Sequence, residues 1–194
     1  MKYTDKAAAR ALNSVIKTAD KARAQLKRSW IDKHGKQCVC DGYRAIRLNT
    51  PVAGVPDGVQ PIDLDKCYPA TVANHFVLDL PTIEELKAMI AEDRAEKKKF
   101  SMYTFGTAED GTQLPTVNPA YLLDMLTAFP DARATCENAV KQIVFTSAYG
   151  DGILLPIRVK PDVDTSKRRT APVQPKRDTA PGMSLNAFAA VYAA

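Results

Sequence analysis

Two stretches of this 194-residue chain, 4–48 and 118–160, carry the same order of elements: a helix, then two strands closing as a hairpin. This repeat constrains the fold more than any other feature. A helix and a hairpin each have one apolar face, and neither finds enough cover within its own half. Two such halves, set side by side, stack both helices on one face of a shared antiparallel sheet. The predicted class is α+β, two helix-plus-antiparallel-strand halves with the helices on one face of the sheet.

In the first half, Ala8, Ala11, Leu12, Val15, Ile16, Ala19, Ala22 and Leu26 recur at three- and four-residue steps between Asp5 and Arg28, with no Gly or Pro. The spacing predicts one long amphipathic helix. At about 100° per residue, Lys6, Arg10, Lys17, Lys21 and Arg28 fall within a sector of roughly 60° opposite the apolar stripe, a single basic ridge. Lys and Arg are ordinary residues of a solvated face, but Asp20 is the only acid near these five cations. Trp30-Ile31-Asp32 then leads through His34-Gly35-Lys36 into an extended stretch from Gln37 to Leu48.

In the second half, Asn118-Pro119 supplies an N-cap and an N1 proline to a helix carrying Leu122, Leu123, Met125, Leu126 and Phe129, which Pro130 ends. Lys141 to Ser147 and Gly152 to Lys160 are extended and joined at Tyr149-Gly150-Asp151-Gly152, a strong hairpin signal. Between the halves, Pro51, Pro56, Pro61 and Pro69 imply an irregular connection. A strand is expected within 72–80, and Thr82-Ile83-Glu84-Glu85 opens a charged, mostly solvated helix to about Lys99. Short strands flank the Asp110-Gly111 turn. The organisation expected is one domain over 1–160 with an insertion near 49–99. A flexible, basic, Pro-rich linker over 161–182 comes next, and then a short apolar segment over 183–194.

Charge is distributed unevenly along this plan. Residues 1–29 hold eight Lys/Arg against two Asp, residues 30–157 are net −5, and residues 158–194 are net +4. A polyanion is therefore met at the first helix and the tail. No apolar run approaches the roughly 20 residues that span a bilayer, and Met1-Lys2-Tyr3-Thr4-Asp5-Lys6 lacks the apolar stretch of a secretory signal. Cys38, Cys40, Cys67 and Cys136 are too few and too scattered for a disulfide scaffold. A cytoplasmic protein with reduced thiols and no membrane contact is expected.

An enzyme finds little support. His34 and His75 are the only histidines, and neither sits in a metalloprotease, nucleophile-elbow or phosphate-loop pattern. Cys38 and Cys40, with Cys67 and His75, offer donors for zinc but lack the second closely spaced pair of a structural site, so buried thiols explain them better. Asp63 with Asp65, and Glu84 with Glu85, read as solvated loop and helix N-terminal acids. No catalytic residue, metal or cofactor is expected.

Three segments bear a further signal. Cys40-Asp41-Gly42-Tyr43-Arg44-Ala45 resembles the Thr-Asp-Gly-His-Arg-Leu turn of the bacterial DNA polymerase III beta subunits, the sliding clamps. Val117-Asn118-Pro119-Ala120-Tyr121-Leu122-Leu123-Asp124-Met125-Leu126 resembles their Asn-x-x-Tyr-Leu-Leu-Asp-x-Leu helix. Asp151 through Val159 resembles their closing strand, with Met-Pro-x-Arg-Leu in the family. The resemblance covers roughly 10–48 and 114–160. Tyr43 stands where the family has His, and Cys40 where it has Thr. The stretches 49–69 and 83–99 have no counterpart in it.

The resemblance implies a non-catalytic DNA-clamp-like domain acting in DNA replication or repair. Family helices meet DNA phosphates without reading bases, a role the resemblance assigns here to Lys6, Arg10, Lys17, Lys21 and Arg28. Family clamps also hold short peptides of polymerases and other replication proteins in an apolar pocket. Carried over by motif, its lining is Gly42, Tyr43, Arg44, Ala45, Leu155, Pro156, Ile157 and Arg158, with ordinary sheet structure as the competing explanation. In a three-domain clamp the two motifs come from adjacent domains, so here they are expected to meet only across a subunit boundary. This chain has room for one such domain, and a homo-oligomeric ring takes about six copies. The alternative is a clamp-fold adaptor or inhibitor that binds replication proteins without encircling DNA. In the tail, Leu185 and Phe188 loosely resemble a clamp-binding peptide, while Leu185, Phe188, Val191 and Tyr192 also have helical spacing.

Overall fold

The side chain of Thr4 accepts the Ala7 N–H at 3.2 Å and starts α1 (Asp5–Thr18), whose inner face buries Ala8, Ala11, Leu12, Val15 and Ile16. The computed structural model describes residues 2–69, 75–158, 169–170 and 177–178. α1 stops ten residues short of the predicted Arg28. Ala19 turns extended at ψ 138°, and a single 3₁₀ turn comes after it at Ala24–Lys27. The cause is tertiary. Ala19, Leu26 and Trp30 pack with Cys38, Cys40, Ala45 and Leu64 in a second core on the far side of the sheet, which a straight continuation of α1 would not reach.

Eleven short strands, two further α-helices and a second 3₁₀ turn at Leu64–Cys67 complete the described chain. The strands are β1 (Trp30–Ile31), β2 (Gln37–Cys40), β3 (Arg44–Leu48), β4 (His75–Leu78), β5 (Tyr103–Thr104), β6 (Thr116–Val117), β7 (Arg133–Cys136), β8 (Ile143–Ser147), β9 (Gly150–Leu154), β10 (Arg169–Thr170) and β11 (Arg177–Asp178). The main sheet is antiparallel, in the order β1-β2-β3-β9-β8-β7-β4-β11. The two halves join where β3 runs against β9 from Arg44↔Leu154 to Leu48↔Gly150. The second half thus has three strands, since Ala134 and Cys136 of β7 point inward on an element that periodicity does not reveal. Its hairpin turns at Ala148 and Tyr149, with Gly150 already in β9.

α3 (Pro119–Ala128) is capped by Asn118, whose Oδ1 accepts the Ala120 N–H at 2.9 Å. α1 and α3 lie side by side on one face of the sheet and bury Leu12, Leu122, Met125 and Leu126 with Val39, Ile46 and Leu154. α3 sits tightly on the sheet at Gly152. A Cβ there would stand 2.4 Å from Met125 Cε and 2.9 Å from the Ala45 carbonyl oxygen.

α2 (Ile83–Ala95) begins at the predicted capping box. Thr82 N–H donates to Glu85 Oε2 at 2.7 Å, and Glu85 N–H donates back to Thr82 Oγ1 at 3.2 Å. It packs beside α3 through Ile83, Leu86 and Met89, so the helical layer runs α1, α3, α2. β5 and β6 pair antiparallel, and β10 joins β5 in parallel to make a small second sheet. Of the stretch 161–182 expected as a linker, only β10 and β11 are described. Leu185 and Phe188 lie outside the described residues.

Candidate functional site

The turn between β2 and β3 is built by Asp41. Its Oδ1 accepts the N–H groups of Tyr43 and Arg44, each at 2.9 Å, and Gly42 takes φ 93°, a conformation that favours glycine. The turn aims Tyr43 outward, 61% exposed, and Arg44 inward, 2% exposed. Beside it, Leu155 leaves β9 and donates its N–H to the Tyr43 carbonyl at 2.8 Å, with its side chain 42% exposed. The two predicted motifs therefore meet within one chain. This corrects the expectation that they meet only across a subunit boundary. The reason is strand order: β3 and β9 are direct neighbours, so the turn before one lies at the exit of the other.

Of the eight predicted pocket residues, Gly42, Tyr43, Leu155 and Arg158 face solvent, and Pro156 and Ile157 are half-buried. Ile157 N–H is tied to the Thr116 carbonyl at 2.7 Å. Arg44 and Ala45 point into the two opposite cores. Tyr121, which the motif reading did not assign to the pocket, has its ring 6.3 Å from that of Tyr43 and is half-buried. An apolar surface of Tyr43, Tyr121 and Leu155 thus flanks the turn.

Arg44 holds this surface from beneath. It donates Nε to Asp41 Oδ2 at 3.1 Å, Nη1 to Asp124 Oδ2, and Nη2 to Thr18 Oγ1 at 3.0 Å. Asp124 also accepts from Ser14 Oγ at 2.6 Å. Burial raises the Asp124 carboxyl above its ordinary value, against the pull of the Arg44 charge. One buried cation thereby fastens the turn to both α1 and α3.

The basic ridge is shorter than predicted. Lys6, Arg10 and Lys17 stand on the exposed face of α1, at i, i+4 and i+11, one stripe along the axis. None of the three forms an ion pair among the described residues. Lys21 lies beyond the helix end, and Arg28 is in the extended segment after the 3₁₀ turn, where Nη1 donates to the Asp57 carbonyl at 3.0 Å.

Behind the sheet, Arg47 donates Nε to Asp151 Oδ1 at 2.8 Å and Nη1 to Asp65 Oδ1 at 2.6 Å, while Tyr68 donates its hydroxyl to the same Asp151 oxygen. Hydrogen bonds from Lys33, Arg47 and His34 hold the Asp65 carboxyl well below the usual carboxylate range. Asp65 is therefore a structural tether for the 61–68 segment. Cys38, Cys40 and Cys136 are buried free thiols and Cys67 is exposed. Burial pushes the Cys136 thiol up to about 12.

No protein-family model and no curated protein matches this sequence. Solved structures do match. The sliding clamp of Bacillus subtilis superposes with a TM-score of 0.55 at 12% identity, over 80% of this chain and 63% of that one. The beta subunit of Streptococcus pyogenes DNA polymerase gives 0.53 at 11% identity, over 78% and 64%. The Helicobacter pylori beta clamp, solved with a DNA ligase peptide, gives 0.53 at 13% identity, over 78% and 62%. The fold is that of the bacterial sliding clamps. The chain spans less than two thirds of the length of these clamps. In this chain α1 and α3 are the paired helices, and the β3–β9 junction joins the two halves of the sheet.

Proposed function

We propose that this chain is a non-catalytic clamp-type protein of DNA replication or repair, which touches duplex DNA without reading its sequence. The observation that carries the reading is the stripe of Lys6, Arg10 and Lys17 on the outer face of α1, with no acid paired to it among the described residues. Phosphate contacts position a protein on a duplex and release counterions, whatever the bases. In the double variant Lys6→Glu, Lys17→Glu, affinity for any duplex falls, and the slope of log K against log salt flattens by about two. Unchanged affinity with an intact circular dichroism spectrum overturns the reading. Encirclement takes about six copies of a single clamp-type unit, and light scattering of the purified protein reads that directly.

The exposed Tyr43–Leu155 surface favours a second reading, an adaptor that docks a peptide of a replication protein. The H. pylori clamp holds a DNA ligase peptide, and an aromatic and an aliphatic side chain beside a buried anchor are suited to the same class of ligand. A labelled clamp-binding peptide is the probe. Tyr43→Ala with Leu155→Ser abolishes its binding and leaves duplex binding intact. Retained peptide binding by that variant removes this reading.

A further inference from the structure

The turn that ends α2 presents an aromatic ring among lysines. Lys97 takes φ 52° and donates its N–H to the Arg94 carbonyl at 3.1 Å, and Lys98 N–H donates to the Asp93 carbonyl at 2.9 Å. The chain thus folds back on the last helical turn. Asp93, itself buried, anchors the residues on either side of Lys99 and Phe100. It accepts Lys98 Nζ at 2.6 Å through one oxygen and the Ser101 hydroxyl through the other. Between these two anchors, Lys99 and Phe100 are held outward. Phe100 is 72% exposed, with Lys99 Nζ 5.5 Å from its ring centre.

Charge at this turn is not balanced. Glu96 Oε2 lies 2.8 Å from Lys98 Nζ, so both Asp93 and Glu96 are taken by Lys98. Lys97 and Lys99 have no acidic partner among the described residues. A large exposed ring is unfavourable in water, yet here hydrogen bonds on either side hold it there.

We propose that the Lys97–Phe100 turn is a single-stranded nucleic-acid site, with an unstacked base on the Phe100 ring and its flanking phosphates at Lys97 and Lys99. A duplex hides the faces of its bases, so a protruding ring gains nothing from it. A single strand offers both a π-face and a close run of phosphates. The site is separate from the α1 stripe, and it uses a ring that non-specific phosphate binding does not need.

The test is fluorescence anisotropy of the full chain with a labelled oligothymidine of about twelve nucleotides, beside a hairpin duplex. Phe100→Ala is expected to weaken oligothymidine binding about tenfold, the scale of one lost base stack, and to leave the duplex untouched. Lys97→Gln with Lys99→Gln should flatten the single-strand salt slope by about 1.4. Phe100→Trp should restore affinity. Lys6→Glu, Lys17→Glu should weaken duplex binding and leave the roughly tenfold loss that Phe100→Ala causes in oligothymidine binding unchanged, so failure of the duplex reading and failure of this one are distinguishable. The proposal is overturned if the wild-type chain does not bind oligothymidine or if Phe100→Ala binds it as well as wild type. Competition by a polyglutamate peptide that is equally sensitive to Phe100→Ala also overturns it, and assigns the turn to acidic peptides.

Discussion

The guanidinium carbon of Arg44 lies 4.1 Å from the centre of the Tyr121 ring. An aromatic face from α3 thus roofs a cation whose N–H groups are taken by Asp41, Asp124 and Thr18. Arg44→Met leaves two carboxylates facing each other out of water and should destabilise the fold by about 3–5 kcal/mol in urea denaturation. Arg44→Lys should not restore it, because an ammonium lacks the fork that spans three partners.

The same variant has a pH signature. Burial already raises the Asp124 carboxyl, and removing the Arg44 charge that opposes this raises it further. A carboxyl raised on folding holds a proton that the unfolded chain releases, so stability rises as pH falls through the raised value. The deficit of Arg44→Met should therefore shrink as pH is lowered from 7. A deficit constant with pH would show that Asp124 does not feel Arg44.

Asp65 has the opposite sign. Its carboxyl is depressed by Lys33, Arg47 and His34, so its contribution is present above the unfolded value near 4 and is lost as pH falls below it. Asp65→Asn should cost about 0.5–1 kcal/mol at pH 7, reduced by the solvent that reaches this side chain, and should flatten the acid limb of the stability curve. Thermal melts from pH 7 to pH 2 read both.

Leu126 and Gly152 test the seat of α3 on the sheet from its two sides. Leu126→Ala empties a buried site and should cost about 2–5 kcal/mol. Gly152→Ala drives a methyl against Met125 and the Ala45 carbonyl and should cost about 1–3 kcal/mol. Losses well under 1 kcal/mol in urea titrations would mean that α3 packs elsewhere.

β11 covers the outer edge of β4 through Arg177↔Phe76 and Asp178↔His75. Deleting residues 161–194 exposes a free sheet edge, which is expected to produce concentration-dependent self-association in light scattering. A truncated chain whose oligomeric state matches that of the full protein at every concentration shows that β11 guards nothing.

Local chemistry made much of this fold legible. Asn118 and Thr82 announce their helices because capping needs only neighbouring residues, whereas the stretch from Gln37 to Leu48, expected as one extended segment after the His34-Gly35-Lys36 turn, is broken by the Asp41-built turn into the antiparallel pair β2 and β3. The end of α1 was not legible, because the second core that Ala19, Leu26 and Trp30 join is completed by Cys38, Cys40, Ala45 and Leu64 from other elements, while the periodicity runs on through Leu26. β7 has no clear signal because its inward residues, Ala134 and Cys136, are small. At the candidate site, the motifs identified Tyr43 and Leu155 separately. Their hydrogen-bonded meeting depends on strand order, which no spacing along the chain encodes.

That strand order also sets how the chain gets there. The β2–β3 and β8–β9 hairpins close over a few residues each, whereas Arg44 finds Leu154 across about a hundred. The entropy of that closure is met only when both halves are already near their final shape, so the β3–β9 seam belongs to the folding barrier. Ile46→Val and Ile153→Val should then slow folding, while Leu86→Ala in α2 should chiefly hasten unfolding, a division that chevron kinetics measures. A chain assembled last at the seam between its halves spends its folding time as two unjoined halves, each with the strand edge that the other is meant to cover.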